Sequence, residues 1–279
     1  MSRIASRFAE LRKKGTAAFV PFITAGDPDA ATSLEILKRL PAAGADLIEL
    51  GVPFSDPMAD GPAVQASSQR ALKAGMTIDR MLELVRTFRA GDDTTPLVLM
   101  GYFNPIHAFG VERFVKAASQ AGVDGLITVD LPPEEDQVLR GPAAAHGIDV
   151  IRLATPTSDD HRLDAILNGA SGFLYYVSVA GVTGTKTFTT ADVARALARV
   201  KGRSHIPVAV GFGIRTPEQA AEIAQIADAS VVGSAIVSRI GDFSTKGKPN
   251  LVPDVVEFCR TLANSVHAAR AQSVVGSTP

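Results

Sequence analysis

The stretch Leu47-Ile48-Glu49-Leu50-Gly51 is a short apolar run interrupted by one carboxylate. Similar β-leaning runs occupy residues 19–24, 97–103, 125–131, 149–154, 173–178, 207–213 and 229–237. Continuous apolar runs fit strands buried on both faces, as in a parallel sheet. Between them lie alanine-rich amphipathic stretches. In Phe114-Val115-Lys116-Ala117-Ala118-Ser119-Gln120-Ala121-Gly122 the apolar residues recur at helical intervals, and Gly122 supplies a stop. The spacing between runs is roughly the dozen residues or more that a parallel crossover needs. Strand then helix, about eight times over, predicts an α/β chain folded as a single (β/α)8, or TIM, barrel.

Residues 2–14 precede the first strand. There Ile4, Phe8 and Leu11 form an apolar stripe and Gly15 is placed to end a helix, so an extra helix plugging the N-terminal end of the barrel is expected. Pro41 should end or kink the first barrel helix early. The connections after the second strand (residues 51–75) and after the sixth (178–192) exceed a typical βα loop. Long loops at the C-terminal ends of barrel strands usually carry function. Residues 1–267 read as one barrel domain, and 268–279 as a tail that should fray, because the apolar pattern stops there. An open doubly wound sheet is the alternative fold. It is disfavoured because no complete dinucleotide fingerprint follows a strand: after Gly211-Phe212-Gly213, Thr216 stands where a third glycine is needed. The run Ala180-Gly181-Val182-Thr183-Gly184-Thr185-Lys186-Thr187 misses a nucleotide P-loop, which needs glycines at 180 and 185.

Composition narrows the function. Of 279 residues, 46% are hydrophobic and 20% charged, as expected of a globular chain rather than a disordered one. Lys+Arg (28) and Asp+Glu (29) nearly cancel to a net charge of −1, which gives no general attraction to nucleic acid or anionic membrane. The single cysteine excludes an intramolecular disulfide framework and a cysteine-built zinc site, and fits a reducing compartment. Cys259 itself falls on the apolar face of a helix and reads as core. The N-terminus lacks a signal-peptide core and no stretch resembles a membrane span, so a cytoplasmic location is expected. His107, His146, His161, His205 and His267 show no ligand spacing, so no metal is expected. No lysine sits at a predicted strand end, Lys186 being in a loop, which disfavours a Schiff-base aldolase.

Strand alternation places Leu47, Glu49 and Gly51 on one face and Ile48 and Leu50 on the other. If Ile48 and Leu50 face the helices, Glu49 points into the barrel. A desolvated carboxyl there has its pKa raised into the range useful for proton transfer; the plain alternative is a structural glutamate paired with a buried partner. Asp60, in Asp56-Pro57-Met58-Ala59-Asp60-Gly61-Pro62, lies in a loop whose backbone is shaped by prolines and glycine. It reads equally well as the cap of the following helix, and Asp56 shares that ambiguity. Gly211, Gly213, Gly233 and Ser234 at the last two strand ends, with Gly181 and Gly184 in the loop after the sixth, suit backbone N–H contacts to a phosphate, although each glycine could serve only a tight turn. Phe22, Met100, Ile127, Tyr175 and Phe212 lie on or beside strand ends and would suit a flat aromatic substrate, unless they are simply core. Carboxylates without metal or Schiff base can break a carbon–carbon bond when the substrate supplies its own electron sink.

The run Leu50-Gly51-Val52-Pro53-Phe54-Ser55-Asp56-Pro57-Met58-Ala59-Asp60-Gly61-Pro62 closely resembles the signature of the tryptophan synthase α subunit family. So do Pro21-Phe22-Ile23-Thr24-Ala25-Gly26-Asp27-Pro28, Gly101-Tyr102-Phe103-Asn104-Pro105, Asp130-Leu131-Pro132, Gly181-Val182-Thr183-Gly184, Gly211-Phe212-Gly213-Ile214 and Gly233-Ser234-Ala235-Ile236-Val237. The similarity runs from Phe8 to Arg260. It implies retro-aldol cleavage of indole-3-glycerol phosphate to indole and glyceraldehyde 3-phosphate. By the same resemblance Glu49 is the general acid/base, Asp60 the carboxylate that accepts the indole N–H, and Tyr175 an active-site tyrosine beside the acid/base. Thr183 is a closing-loop residue that meets Asp60. Gly184, Gly213, Gly233 and Ser234 form the phosphate site, and Phe22, Met100, Ile127 and Phe212 the indole pocket. The resemblance further implies a partner β subunit carrying pyridoxal phosphate, with no cofactor in this chain, and an α2β2 assembly in which indole passes between subunits. Asp56 and the loops at Asn104-Pro105 and Asp130-Leu131-Pro132 would face that partner. Val179 stands where some members carry arginine, Met100 replaces a leucine, and Pro41 and residues 242–250 look unlike the usual helices. Two other functions stand beside the lyase: a catalytically idle allosteric subunit, against which both Glu49 and Asp60 argue, and a different phosphate-binding barrel enzyme, against which the missing lysine and metal ligands argue.

Overall fold

The protein is described by a computed structural model that covers residues 2–177, 190–211, 213–246 and 250–270. Eight parallel strands close into a barrel in sequence order, the last pairing with the first. They are β1 (Ala18–Thr24), β2 (Ile48–Gly51), β3 (Leu97–Gly101), β4 (Gly125–Thr128), β5 (Asp149–Ala154), β6 (Leu174–Val177), β7 (Val208–Gly211) and β8 (Ala229–Val232). The helix α1 (Arg3–Lys14) precedes them. The outer layer begins with α2 (Ala30–Arg39), α3 (Pro62–Lys73) and α4 (Ile78–Arg89). It continues with α5 (Phe103–Phe109), α6 (Val111–Ala121), α7 (Gln137–Ala145) and α8 (Asp160–Leu167). It ends with α9 (Thr190–Arg203), α10 (Pro217–Ile226), α11 (Ser234–Lys246) and α12 (Leu251–Ala268).

Period-two alternation sorts the strand residues into two cores. Ile48, Leu50, Leu97, Leu99, Val150, Val208 and Val210 pack outward against the helices. Leu47, Val98, Ile127, Ile151, Tyr175, Ala209 and Val231 fill the barrel. Helix α1 plugs its N-terminal end as the stripe predicts: Ile4, Phe8 and Leu11 join the inner core, and the Phe8 and Phe173 rings lie 5.8 Å apart. Ser2 caps the start of α1 through its side chain, and Gly15 ends it at φ 68°, where a side chain would be strained. Pro41 acts as expected, since α2 stops at Arg39 and a single 3-10 turn, Pro41–Ala43, follows.

Three carboxylates at this lower end close gaps in the hydrogen bonding. Asp46, Asp124 and Asp228 each precede a strand and accept an N–H from the first two residues of the preceding one, at Phe19 (2.9 Å), Leu97 (2.8 Å) and Val208 (2.9 Å). A buried N–H without an acceptor is costly, so these bonds fix where the strands begin. Asp124 also pairs with the nearly buried Arg89 at 2.6 Å and with Arg3 at 2.9 Å.

Several stretches depart from the expected elements. The apolar run 229–237 is not one strand: β8 ends at Val232 and α11 starts at Ser234. Residues 51–75 are not one loop, because α3 occupies much of the stretch. Asn104 and Pro105 lie in the first turn of α5 rather than in a loop; Pro is tolerated there because that turn's N–H groups have no intrahelical acceptor. Of the expected tail, Ala268 still closes α12, and residues 271–279 lie outside the described residues. So does nearly all of the 178–192 connection, whose first described residue is Thr190 at the start of α9. No helix among the described residues is long and apolar enough to cross a membrane.

Replacing Asp124 by alanine leaves the Leu97 N–H without its acceptor and Arg89 without its carboxylate. The expected loss is about 3 kcal/mol, read as a fall in the urea unfolding midpoint with an unchanged slope.

Candidate active site

The cavity opens at the C-terminal ends of the strands and encloses about 520 Å³ of space, part of it open to solvent. Its floor and walls come from β1 (Phe22), β2 (Glu49), β3 (Met100), β6 (Tyr175) and β8 (Val231). Asp60, Gly61 and Val64 close one side, and Gly213, Ile214, Gly233 and Ser234 the other. Ile127 is buried in the barrel core below and does not line it. Thr183, Gly184 and Phe212 lie outside the described residues.

Glu49 points inward, as the outward packing of Ile48 and Leu50 requires. It is 2% exposed, and its Oε1 finds no hydrogen-bond partner among the described residues. It is therefore not the structural glutamate of a buried pair. Burial pushes its carboxyl up to about 8, and the negative charge of Asp60 adds to the effect.

Asp60 is not a helix cap. Gly61 holds the N-cap position of α3 without a side-chain bond, and Pro62 begins the helix. The Asp60 carboxyl faces the cavity instead. Burial pushes it up to about 6, while a hydrogen bond from Tyr102 pulls it down. At neutral pH the two carboxyls thus differ: Glu49 holds its proton and Asp60 has largely lost its own. Opposed protonation of neighbouring carboxyls is how one site acquires both an acid and a base. Tyr175 is held well above its ordinary value by burial, reinforced by the charges of Glu49 and Asp60, so it stays neutral. A Cβ added to Gly211 would stand 2.1 Å from the Tyr175 hydroxyl, so only glycine lets this ring sit where it does.

The part of the cavity lined by Gly213, Gly233 and Ser234 suits an anion. The first backbone N–H groups of α11 have no acceptor within the helix, and its N-terminus opens on the cavity at Gly233 and Ser234. Gly213, at φ 81°, adopts a backbone conformation that side chains disfavour. The described lining contains no lysine or arginine, so an anion here would be held by N–H groups, the helix dipole and a hydroxyl.

Asp56, Asn104, Asp130 and Pro132 are exposed on the same rim, and Pro105 is half-buried. Asp130 accepts the Phe103 N–H at 2.8 Å, tying the start of α5 to the β4 loop. Residue-by-residue reading of the sequence missed Val64, Ile214 and Val231 in the lining and two supports of Asp60, Gln65 and Tyr102. Tyr102 stands in a family-like motif, but nothing in its spacing shows which loop its hydroxyl meets.

The family profile described as tryptophan synthase alpha chain matches residues 8–267. The chain belongs to that family. It resembles the crystal structure of tryptophan synthase subunit alpha from Legionella pneumophila str. Paris, with 37% identity and a TM-score of 0.89 over 95% of this chain and 98% of that one. The alpha chain from Legionella pneumophila subsp. pneumophila gives 36% identity and a TM-score of 0.89 over 100% of both chains. A chain of tryptophan synthase from M. tuberculosis in an aminoacrylate-bound form gives 34% and 0.84, over 95% of this chain and 100% of that one. The activity is accordingly that of a carbon–carbon lyase, the cleavage of indole-3-glycerol phosphate in tryptophan biosynthesis. Neither the idle subunit nor another phosphate-binding barrel enzyme is favoured.

The raised Glu49 pKa has a consequence for stability. An acid whose folded pKa lies above its unfolded one adds stability that is full below the unfolded value, 4.5 here, and is lost as pH rises toward 8. By pH 7 the loss is on the order of 3 kcal/mol. Glutamine has no such proton to lose. The thermal midpoint of Glu49→Gln should therefore gain on that of the unchanged chain as pH rises from 5 to 8, measured by calorimetry at each pH.

Proposed function

We propose that Glu49 and Asp60 divide the proton work of the cleavage between them. The observation that carries this is a buried and a half-buried carboxyl with different proton affinities in one cavity, on which a helix N-terminus opens. The phosphate of the substrate binds at Gly213, Gly233 and Ser234, together with Gly184. The indole ring lies between Phe22 and Met100, with Ile127 beneath and Phe212 and Tyr175 beside it. Asp60, as an anion, accepts the indole N–H and stabilises positive charge on the ring.

Glu49 gives its proton to the ring carbon that bears the glycerol chain. The resulting indoleninium is the electron sink. As the carbon–carbon bond breaks, its electron pair returns to the ring, and the side-chain hydroxyl next to that bond loses its proton to the Glu49 carboxylate. Glyceraldehyde 3-phosphate and indole leave, and Glu49 is again protonated. No cofactor of this chain enters the sequence. Tyr175 bounds the site near Glu49, and Thr183 closes on Asp60 to exclude water.

The partner is a β subunit that carries pyridoxal phosphate, in an α2β2 assembly in the cytoplasm. It docks on the rim formed by Asp56, Asn104, Pro105, Asp130 and Pro132, and indole, being apolar, passes to it through a tunnel rather than through water. The 82% exposure of Met58 between Asp56 and Asp60 supports a covered rim, since a large apolar side chain gains by leaving water.

Indole release from indole-3-glycerol phosphate by the purified chain tests the reading. Release should be slow alone and rise strongly with a matching β subunit. No release from a folded, partner-bound chain would refute it. Glu49→Gln should lower kcat by about 10²–10⁴-fold while leaving substrate affinity largely intact, because it keeps the shape and removes the proton. Near wild-type turnover would show that the proton comes from elsewhere.

A further inference from the structure

Asp60 lies next to the end of a connection, residues 52–61, that has neither strand nor helix of its own. Its position therefore depends on side chains from outside the loop. Gln65, on α3, donates from Nε2 to the Asp60 carbonyl at 2.9 Å and to the Pro57 carbonyl at 3.4 Å. Tyr102, just beyond β3, accepts the Ala59 N–H at 2.9 Å through its hydroxyl oxygen. Tyr102 is itself held firmly: it is 3% exposed, and its ring packs on Phe54 with centroids 5.2 Å apart. Tyr102 and Asp60 line one narrow recess with Gly51, Val64 and Ser68. With the Ala59 N–H bound to its oxygen, the phenol still has its own proton to give. The Asp60 carboxyl, next in the chain to Ala59 and in the same recess, is the group on which that hydroxyl acts, lowering its proton affinity.

We propose that Tyr102 is a positioning residue for the cleavage: its hydroxyl sets the place of the Asp60 carboxyl and keeps that carboxyl anionic in a half-buried site. This rests on the reading of Asp60 as the acceptor of the indole N–H. A hydroxyl donates roughly twice as strongly to an anion as to a neutral acceptor, so the bond favours the ionised form over the protonated one. The titratable groups that act on Asp60 among the described residues are Glu49 on β2, Tyr175 on β6 and Tyr102. Glu49 and Tyr175 are neutral near pH 7 and leave the anion unopposed. Asp56, on the same loop, is exposed and takes the Ser55 hydroxyl at 2.5 Å. The Tyr102 hydroxyl, anchored on the Ala59 N–H beside Asp60, is thus the group that offsets the burial of Asp60.

The sign is fixed. Ionised Asp60 is required, so the rate falls as pH drops through its pKa, and removing the donor raises that pKa. For Tyr102→Phe in the full chain, the acid limb of kcat/KM for indole-3-glycerol phosphate should move up by about one pH unit, so activity falls about tenfold at pH 5.5 and little at pH 8.5. Fluorotyrosine at position 102, a stronger donor of the same shape, should move the limb the other way. It also preserves the test if the phenylalanine variant fails to fold. A loss that is equal at every pH, or a limb that neither substitution moves, would overturn the role of Tyr102. Asp60→Asn separates the two levels. If it keeps wild-type kcat/KM, the reading of Asp60 fails and this inference with it. If it is inactive while the Tyr102 substitutions leave the limb in place, only the role of Tyr102 falls.

Discussion

A carboxyl group enclosed by eight hydrogen-bonded strands cannot ionise into water, and the described wall around Glu49 offers no cation in its place. That constraint is set by topology before any catalytic detail. Closure of the barrel makes every second side chain of β2 point inward, so one polar residue in the inward register is desolvated by its neighbours. The cavity above inherits its character from this. A neutral acid lies at the bottom, and a charged acid is brought to the side by a loop. The N-terminus of α11 opens on the same cavity, and no lysine or arginine of the described lining stands beside either carboxyl.

The two ends of the barrel divide the work. At the lower end Asp46, Asp124 and Asp228 are bonded to strand N–H groups, and Asp124 to two arginines as well, so these carboxylates hold the ring together. At the upper end Glu49 leaves an oxygen unpaired and Asp60 has a phenol for support. The same residue types are saturated where they build and under-saturated where they react. A barrel can carry the strain of the upper end because the lower end is closed independently.

Most of this was legible in the sequence. Alternation in Leu47-Ile48-Glu49-Leu50-Gly51 was enough to aim Glu49, because Ile48 and Leu50 had only the helix layer to face. The stripe Ile4, Phe8, Leu11 and the break at Pro41 were equally direct. The failures have physical causes. Apolar continuity across Val231 to Val237 hid the start of α11, since a strand end and a buried first helical turn look alike without periodicity. Helix α3 was legible at its start, from Gly61-Pro62, but not in its extent, because its buried face is Ser67, Ser68 and Ala71, small and partly polar rather than a large apolar stripe. Asp60 stayed ambiguous between cap and catalyst because its orientation is decided by Gln65 and by Tyr102, which reaches its loop from the end of β3. No spacing within the loop encodes that contact, and Tyr102 was visible only as a member of a motif.

The plug formed by α1 also bears on the order of events during synthesis. Ile4 packs beside Gly125 and Ile151, and Phe8 against Phe173, so a helix made before the barrel strands rests on surfaces made much later. At ordinary elongation rates the delay between Phe8 and Phe173 is on the order of ten seconds or more. Through that interval Ile4, Phe8 and Leu11 have no completed seat. A helix of 12 residues is marginal without its seat, so through most of that synthesis the apolar stripe stays uncovered, a ready target for any chaperone that captures such stripes.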